Sequence, residues 1–219
     1  MLCAGVAKTR RQLFWVQGER DNAFEHLGRA REMVETREAS RAKAFVTSSL
    51  SRFLMLASED AEAIRLGREA LGMAELLGLD ELRASTLNNI GVSRMQSGDL
   101  GGLRDLDESI AVGTRANAPT EVARAQLNLA SVLWDQGELA RSTALIDECS
   151  AVTARFGLAG FDRWIRGESV LPTYTLGRWA EALAGADEFL AEVEAGSLVA
   201  VVLARETPVS RCQPSSGPF

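Results

Sequence analysis

Apolar residues recur along most of the chain at short helical intervals. Steps of three and four residues are common among them, which places apolar side chains on one face of a helix. No alternating strand pattern of useful length competes, so the pattern predicts an all-α chain. In the clearest stretch the apolar residues are Leu82, Leu87, Ile90 and Val92 before Gly98, and Leu103, Leu106, Ile110 and Val112 after it.

Short turns interrupt the helical stretches at a nearly constant interval. The intervals are 40, 40, 39 and 40 residues for the turns at Gly18, Ser58, Gly98, Gly137 and Gly177. A second set of turns has intervals of 39 and 40 residues, at Gly78, Asn117 and Gly157. Self-similarity at a fixed period is the sequence signature of a repeat architecture.

Each period predicts two antiparallel helices joined by the first kind of turn. Gly and Asn readily take the left-handed conformation that closes a helix. We therefore expect Gly78, Asn117 and Gly157 to end helices, with Asp80 and Thr120 as N-caps of the helices that follow. Small or apolar residues recur five and twelve positions after the turns, where the second helix would press on the first. They are Ala23, Ala63, Leu103, Ser142 and Ala182, and Ala30, Ala70, Ile110, Cys149 and Phe189.

No linker rich in Gly, Pro and Ser interrupts the repeats, so residues 1–196 are expected to form one continuous helical repeat domain. Its units fall at about 1–37, 38–78, 79–117, 118–157 and 158–196, which leaves 197–219 as a divergent or truncated tail. Pro172 stands inside the first helix of the last unit and is expected to kink or break it.

Two stretches resemble the tetratricopeptide signature, in which Leu-Asn-Asn-Leu-Gly leads to a Gly-Asp turn. One runs from Leu87 to Leu100 and reads LNNIGVSRMQSGDL, and the other runs from Leu127 to Leu139 and reads LNLASVLWDQGEL. The period here exceeds the roughly 34 residues of that family. Over about residues 10–195, the resemblance implies a right-handed α-solenoid of about five tetratricopeptide-like antiparallel helix pairs, with a period of 39–40 residues.

The long period also has a narrower resemblance. Together with the stretches 98–106 and 177–183, it is similar to the C-terminal repeat regions of bacterial signalling proteins that carry a nucleotide-cyclase or regulatory ATPase domain. In that group the repeats dock a partner and catalysis lies elsewhere. Two functions stay open: a protein-interaction scaffold in bacterial signalling or regulation, and a regulatory or sensor fragment of a larger cyclase or ATPase-type transcriptional regulator.

The first helix of each unit is expected to line the concave side of such a solenoid. Nine residues before the turns, the row reads Ser49, Asn89, Asn128 and Glu168. Asparagine can both donate to and accept from a peptide backbone, and the tetratricopeptide resemblance implies that role for Asn89 and Asn128. The same asparagines could instead bond helices of adjacent repeats. The predicted peptide-binding groove comprises Arg52, Asn88, Asn89, Arg124, Asn128, Ser131 and Trp134.

Candidate chemistry is sparse. The chain has one histidine, His26, no Gly-rich phosphate loop and no paired metal ligands, so we expect no enzyme activity, no cofactor and no metal. Lys and Arg number 24 against 30 Asp and Glu, a net charge of −6 without a basic block. That balance disfavours direct nucleic-acid binding and leaves a protein or peptide as the expected partner.

Apolar runs and cysteines bear on location. The longest apolar run, 198–204, is too short to span a membrane, and we expect a cytoplasmic protein. Its three cysteines form no close pair and are expected to stay reduced, with Cys149 buried. Self-association through an uncapped C-terminal end is a further expectation.

Overall fold

The structure is a computed structural model that describes residues 20–194, apart from a few side chains near both ends and at 159 and 163. Over this range it contains nine helices and no strand, so the predicted all-α helical solenoid is confirmed. The helices are α1 (Arg20–Glu35), α2 (Arg41–Leu56), α3 (Asp60–Leu76), α4 (Asp80–Gln96), α5 (Gly102–Arg115), α6 (Pro119–Asp135), α7 (Leu139–Phe156), α8 (Ala159–Thr175) and α9 (Trp179–Glu194).

The helices stack as pairs. We call α2, α4, α6 and α8 the A helices, and α3, α5, α7 and α9, which each follow an A helix, the B helices. Every A helix packs on its own B helix and on the B helix before it, and successive A helices also touch one another directly. The A helices therefore form one continuous face. The turn at Gly18, the first helix of the first unit and the tail 197–219 lie outside the described residues, and so does the C-terminal end expected to self-associate.

A left-handed residue stands at each of the seven joints between α2 and α9. The backbone angle φ is 61° at Ser58, 50° at Asn117, and between 63° and 83° at Gly78, Gly98, Gly137, Gly157 and Gly177. At each joint the following residue donates its N–H to a carbonyl five residues back, as Asp99 does to Arg94 at 2.8 Å. This geometry satisfies carbonyls that the end of a helix leaves without partners. The left-handed helix ends predicted at Gly78, Asn117 and Gly157 are confirmed.

The predicted N-caps are wrong, because the joints are shorter than expected. At Gly78 and Asn117, the residue just before the left-handed residue caps the end of the first helix, and the residue just after it caps the start of the second. Leu79 and Ala118 hold the second of these places, and neither provides a side-chain hydrogen bond. Asp80 instead lies in the first turn of α4, where its negative charge suits the positive end of the helix dipole. Thr120 lies inside α6, which begins at Pro119.

The sequence predicted that residues five and twelve positions after each turn pack against the A helix of the same pair. This prediction is confirmed for the α2–α3, α6–α7 and α8–α9 pairs, whereas the α4–α5 pair uses the residues one position earlier. In the three pairs the positions are buried; in the α4–α5 pair Gly102 and Ser109 are buried, while Leu103 and Ile110 are only half-buried. Ser109 Oγ donates to Ala84 O at 2.7 Å, at the place where Cys149 Sγ donates to Ala123 O. One residue is thus missing between Gly98 and Gly102, which explains the 39-residue interval. The buried residues are Ala63, Ala70, Ser142, Cys149, Ala182 and Phe189.

The two helices of a pair approach closely where their small residues meet. A Cβ added at Gly91 would lie 2.8 Å from Leu106 Cγ and 2.9 Å from Gly102 O. In the neighbouring pairs, Ser51 Oγ donates to Ala63 O at 2.8 Å and Ser142 Oγ donates to Ala130 O at 2.7 Å. Small side chains at these contacts bring A and B helices together and fix how each pair is stacked.

Pro172 does not break α8, so that alternative of the prediction is wrong. The helix continues to Thr175, and Leu176 N–H closes it on Pro172 O at 3.1 Å. Because Pro172 lies in the last turn, its missing N–H removes a hydrogen bond close to the end of the helix, where few bonds depend on it. No helix within residues 20–194 is both long and apolar enough to cross a membrane.

We expect the same Gly→Ala change to have opposite effects on stability at a joint and inside a helix. No atom lies within 4 Å of a Cβ added at Gly98 or at Gly72, so steric clashes play no part at either position. Gly98→Ala must hold alanine at a φ of 83° and should destabilise the fold by about 1–2 kcal/mol. Gly72→Ala, in α3, should stabilise it by about 0.5–1 kcal/mol. Urea unfolding of both variants measures the difference, and shifts of equal sign would contradict the role of the joint.

Candidate functional site

The seven predicted groove residues all lie on A helices, but they differ in exposure. Arg52, Asn128, Ser131 and Trp134 are half-buried and open onto the A-helix face. Asn88, Asn89 and Arg124 are buried, with 0%, 1% and 5% of their surface exposed. The seven therefore divide into an accessible set and a set that lies between the repeats.

Asn89 bonds three successive A helices. Its Nδ2 donates to Ser48 O of α2 at 3.2 Å, and its Oδ1 accepts from Arg124 Nη1 of α6 at 3.3 Å. The Asn89 amide thus uses one N–H and its oxygen for bonds to neighbouring repeats, and the Arg124 side chain covers the amide. This matches the alternative in which the asparagine bonds adjacent repeats, and the assignment of Asn89 and Arg124 to the groove surface is corrected.

Asn88 and Asn128 form a second bond between repeats. Asn128 Nδ2 of α6 donates to Asn88 Oδ1 of α4 at 2.9 Å. Asn88 is fully buried, and its Nδ2 has no hydrogen-bond partner among the described residues. Asn88 is therefore also corrected from a surface residue to one beneath the surface, whereas Asn128 reaches the A-helix face.

Hydroxyl groups continue this bonding toward α2. Ser48 Oγ and Thr86 Oγ1 share a hydrogen bond of 2.7 Å between α2 and α4, and Thr86 Oγ1 also donates to Leu82 O. The polar residues that bond one A helix to the next are called the inter-repeat seam below. They are Ser48, Ser85, Thr86, Asn88, Asn89, Glu121, Arg124 and Asn128.

An ion pair anchors the seam in α6. Arg124 Nη2 is bound to Glu121 Oε2, and it also donates to Ser85 Oγ of α4 at 2.7 Å. Burial by itself would raise the pKa of Glu121. The positive charges of Arg124 and Arg52, with hydrogen bonds from Arg124 and Ser85, outweigh it and lower that pKa below its ordinary value. Glu121 therefore remains charged at neutral pH.

Sequence reasoning missed Ser48, Ser85, Thr86 and Glu121. A usable signal was the spacing of Glu121 and Arg124, three residues apart on one helix, which favours an ion pair. A second was position: Ser85 and Arg124 each stand thirteen residues before their turn, so repeat stacking places them side by side.

Aromatic residues continue the A-helix face beyond α6. Trp164 of α8 stacks on Phe161, with 5.8 Å between ring centroids, and its Nε1 donates to Glu168 Oε1 at 3.2 Å. Trp164, Glu168 and Trp134 are half-buried. This end of the face combines aromatic rings with a carboxylate, while its α2 end presents Arg52.

The candidate chemical groups among the described residues are carboxylates, Cys149 and His26. The described residues include no group of three His, Cys, Asp or Glu side chains that could hold a metal ion. Burial, together with the charge of Asp162, raises the pKa of Cys149 to about 12, so this thiol stays protonated at neutral pH. His26 is half-buried on α1.

We expect Glu121→Gln to destabilise the fold at neutral pH by about 2–4 kcal/mol, because it leaves the buried Arg124 without its counter-charge. A lowered carboxylate pKa gives stability that is present above the unfolded-state value of about 4.3 and is lost as pH falls further. The difference from the parent chain should therefore shrink below about pH 4. Denaturant unfolding across pH measures it, with exposed Glu138→Gln as control. A constant difference at every pH would contradict a charged Glu121.

Comparison with known proteins gives a fold neighbour. No protein-family model matches the chain, and no curated protein does. Among solved structures, the crystal structure of aspartyl phosphate phosphatase F from Bacillus subtilis is similar, with a TM-score of 0.68 and 18% sequence identity. The match covers 93% of this chain and 55% of that chain, so this chain spans about half the neighbour's length. At this identity the likeness concerns the fold alone, a tetratricopeptide-like helical repeat.

Proposed function

We propose that this chain is a protein-interaction scaffold that binds a peptide or protein partner along its A-helix face, in bacterial signalling or regulation. The observation that carries the proposal is a continuous face on successive A helices, where Arg52, Asn128, Ser131 and Trp134 stay half-buried above the seam. A surface built from neighbouring repeats suits an extended segment. Trp and Arg are also the residues that contribute most often to binding energy.

Each accessible residue suits a different part of such a segment. Trp134 offers a flat apolar surface to a side chain of the partner, and the half-buried Arg52 adds positive charge at the α2 end of the face. Asn128 donates one N–H to Asn88, which leaves its second N–H and its Oδ1 for a peptide backbone. Ser131 adds a hydroxyl beside it. The expected ligand is an extended segment that carries an acidic group and an apolar side chain.

The fold neighbour supports this reading in a limited way. By its name, that bacterial protein acts on an aspartyl phosphate. Aspartate is a protein side chain, so an aspartyl phosphate is compatible with a protein ligand for this fold. The proposal assigns no reaction to the present chain, because its described residues offer no metal cluster and its described cysteine is held as a buried thiol.

A second candidate is a regulatory module of a larger nucleotide-cyclase or ATPase-type protein. It rests on the resemblance of the stretches 98–106 and 177–183 to the repeat regions of such proteins. The DNA upstream of the first codon tests it directly. An in-frame cyclase or ATPase domain supports this candidate, whereas a stop codon followed by a ribosome-binding site contradicts it.

We expect removal of the Trp134 side chain from the A-helix face to weaken peptide binding by at least about tenfold, which corresponds to about 1.4 kcal/mol. Peptides selected on the parent chain from a phage-displayed random library would be measured by calorimetry against Trp134→Ala. Ser131→Arg blocks the same face without deleting packing, and it separates lost binding from lost folding. Exposed Phe156→Ala, at the end of α7, is the matched aromatic control and should bind as the parent does. Equal affinities for all four chains would exclude this face as the binding site.

A further inference from the structure

The last described B helix, α9, exposes a leucine at a position that is covered in the earlier B helices. Leu190 stands thirteen residues after the left-handed Gly177, as Leu71 of α3 stands thirteen residues after the left-handed Ser58. Leu71 is half-buried, and it packs in a cluster with apolar residues of α4, the next A helix. Leu190 has 42% of its surface exposed, since no A helix within residues 20–194 follows α9.

The equivalent positions of the two B helices between α3 and α9 are covered as well. Ile110 takes this place in α5, whose register is shifted by one residue, and Ser150 takes it in α7. Both are half-buried, and Ile110 packs in a cluster with Leu129 and Leu133 of α6. Of the four B helices that the structure describes, α9 alone leaves this position exposed.

The sequence beyond α9 continues the repeat at the expected place. Gly196 stands 39 residues after Gly157, an interval that also separates two earlier joints. The helices α4, α6 and α8 each begin two residues after a left-handed joint residue, so a further A helix would begin at residue 198. Residues 198–204 read LVAVVLA, the longest apolar run of the chain, and they lie outside the described residues.

Equivalent positions in the repeats pair Leu190 with a residue of this run. Val202 stands six residues after Gly196, as Ala84 of α4 stands six residues after its own joint. Ala84 belongs to the cluster in which Leu71, the equivalent of Leu190, is half-buried. A helix that begins at residue 198 would therefore bring a valine to the exposed leucine.

The same register leaves Leu183, the other exposed leucine of α9, beyond the reach of this run. In the α3–α4 pair a Cβ added at Gly67 would lie 2.5 Å from Ile90 Cγ1, so the ninth residue after one turn meets the twelfth after the next joint. Leu183 is only the sixth residue after its turn, and its counterpart lies still further along. The twelfth residue after Gly196 is Pro208, and proline interrupts a helix.

The charge around Leu190 disfavours a second copy of this chain as its cover. Asp187 and Glu188 are exposed beside it, and α9 itself contains no Lys or Arg. A twofold contact places the same surface on both sides, so two α9 helices would bring carboxylates together. Residues 198–204 carry no charge, and Arg205 follows them directly.

We propose that residues 198–204 form the start of a further A helix and cover Leu190, so that the chain closes the open side of its own last described repeat. Terminal repeats of a solenoid need such a cover, because the side that would receive the next repeat is otherwise left apolar and exposed. This surface lies on a B helix, and the inference does not depend on the function proposed for the A-helix face.

Hydrogen–deuterium exchange of the full chain, read by mass spectrometry, tests this cover. Backbone amides of residues 202–206 should exchange at least about tenfold more slowly than in an isolated peptide of the same sequence, because those of a docked helix are hydrogen-bonded. Leu190→Gln removes apolar surface from the contact and keeps a good helix former in α9. It should reduce that protection by at least about threefold.

Leu183→Gln is the matched control, because it makes the same change on the same helix outside the reach of the run. It should leave the protection of residues 202–206 unchanged. The proposal is overturned if these amides exchange as in the isolated peptide, or if the two variants have equal effects. Protection that rises with protein concentration would also overturn it, since a second copy would then provide the cover. The Trp134→Ala comparison for the A-helix face is unaffected by these outcomes.

Discussion

The left-handed residue at each helix joint between α2 and α9 is the constraint on which the rest of this structure depends. It lets the chain end a helix, reverse direction and begin the next within two or three residues at six joints, and within five residues at the α4–α5 joint. Because seven successive joints share this geometry, seven successive helix reversals are closely alike, and equivalent side chains align from repeat to repeat. The seam follows from that alignment, since its residues lie at fixed distances from a joint.

The two kinds of joint differ in the residue that follows the left-handed position. Where a B helix passes into an A helix, that residue is Leu79, Ala118 or Leu158, and it is buried or half-buried. Where an A helix passes into a B helix, the residue is charged and exposed, and a large apolar residue follows it in three of four turns. The same backbone motif thus gives the solenoid two chemically different edges.

The polar contacts of the inter-repeat seam fix the register in which successive A helices stack. Donors and acceptors such as Asn89 and Arg124 bond only when successive repeats are stacked in one register, whereas apolar contacts tolerate sliding. A buried charge that loses its partner is costly, so the Glu121–Arg124 pair favours the stacked arrangement over alternatives. The bonding also withdraws these groups from the surface, which limits the face available to a ligand to residues beside the seam.

The repeat could be predicted from the sequence because Gly and Asn at left-handed positions leave a periodic trace, and each joint between α2 and α9 except that of Ser58 has one of them. The shifted register of α5 was also encoded, in the two 39-residue intervals from Gly78 to Asn117 and from Gly98 to Gly137.

The burial of Asn89 could not be predicted in the same way. It depends on a guanidinium 35 residues further along, which reaches back across the stack to cover the amide. An asparagine at a groove position of a repeat is equally compatible with contact to a ligand and with contact to the next repeat. Which of the two occurs is decided by the side chain at one position of that next repeat, here Arg124 and not a smaller residue. Whether a groove asparagine can contact a ligand is therefore set by pairs of positions in adjacent repeats. The row of equivalent positions on the A helices does not determine it by itself.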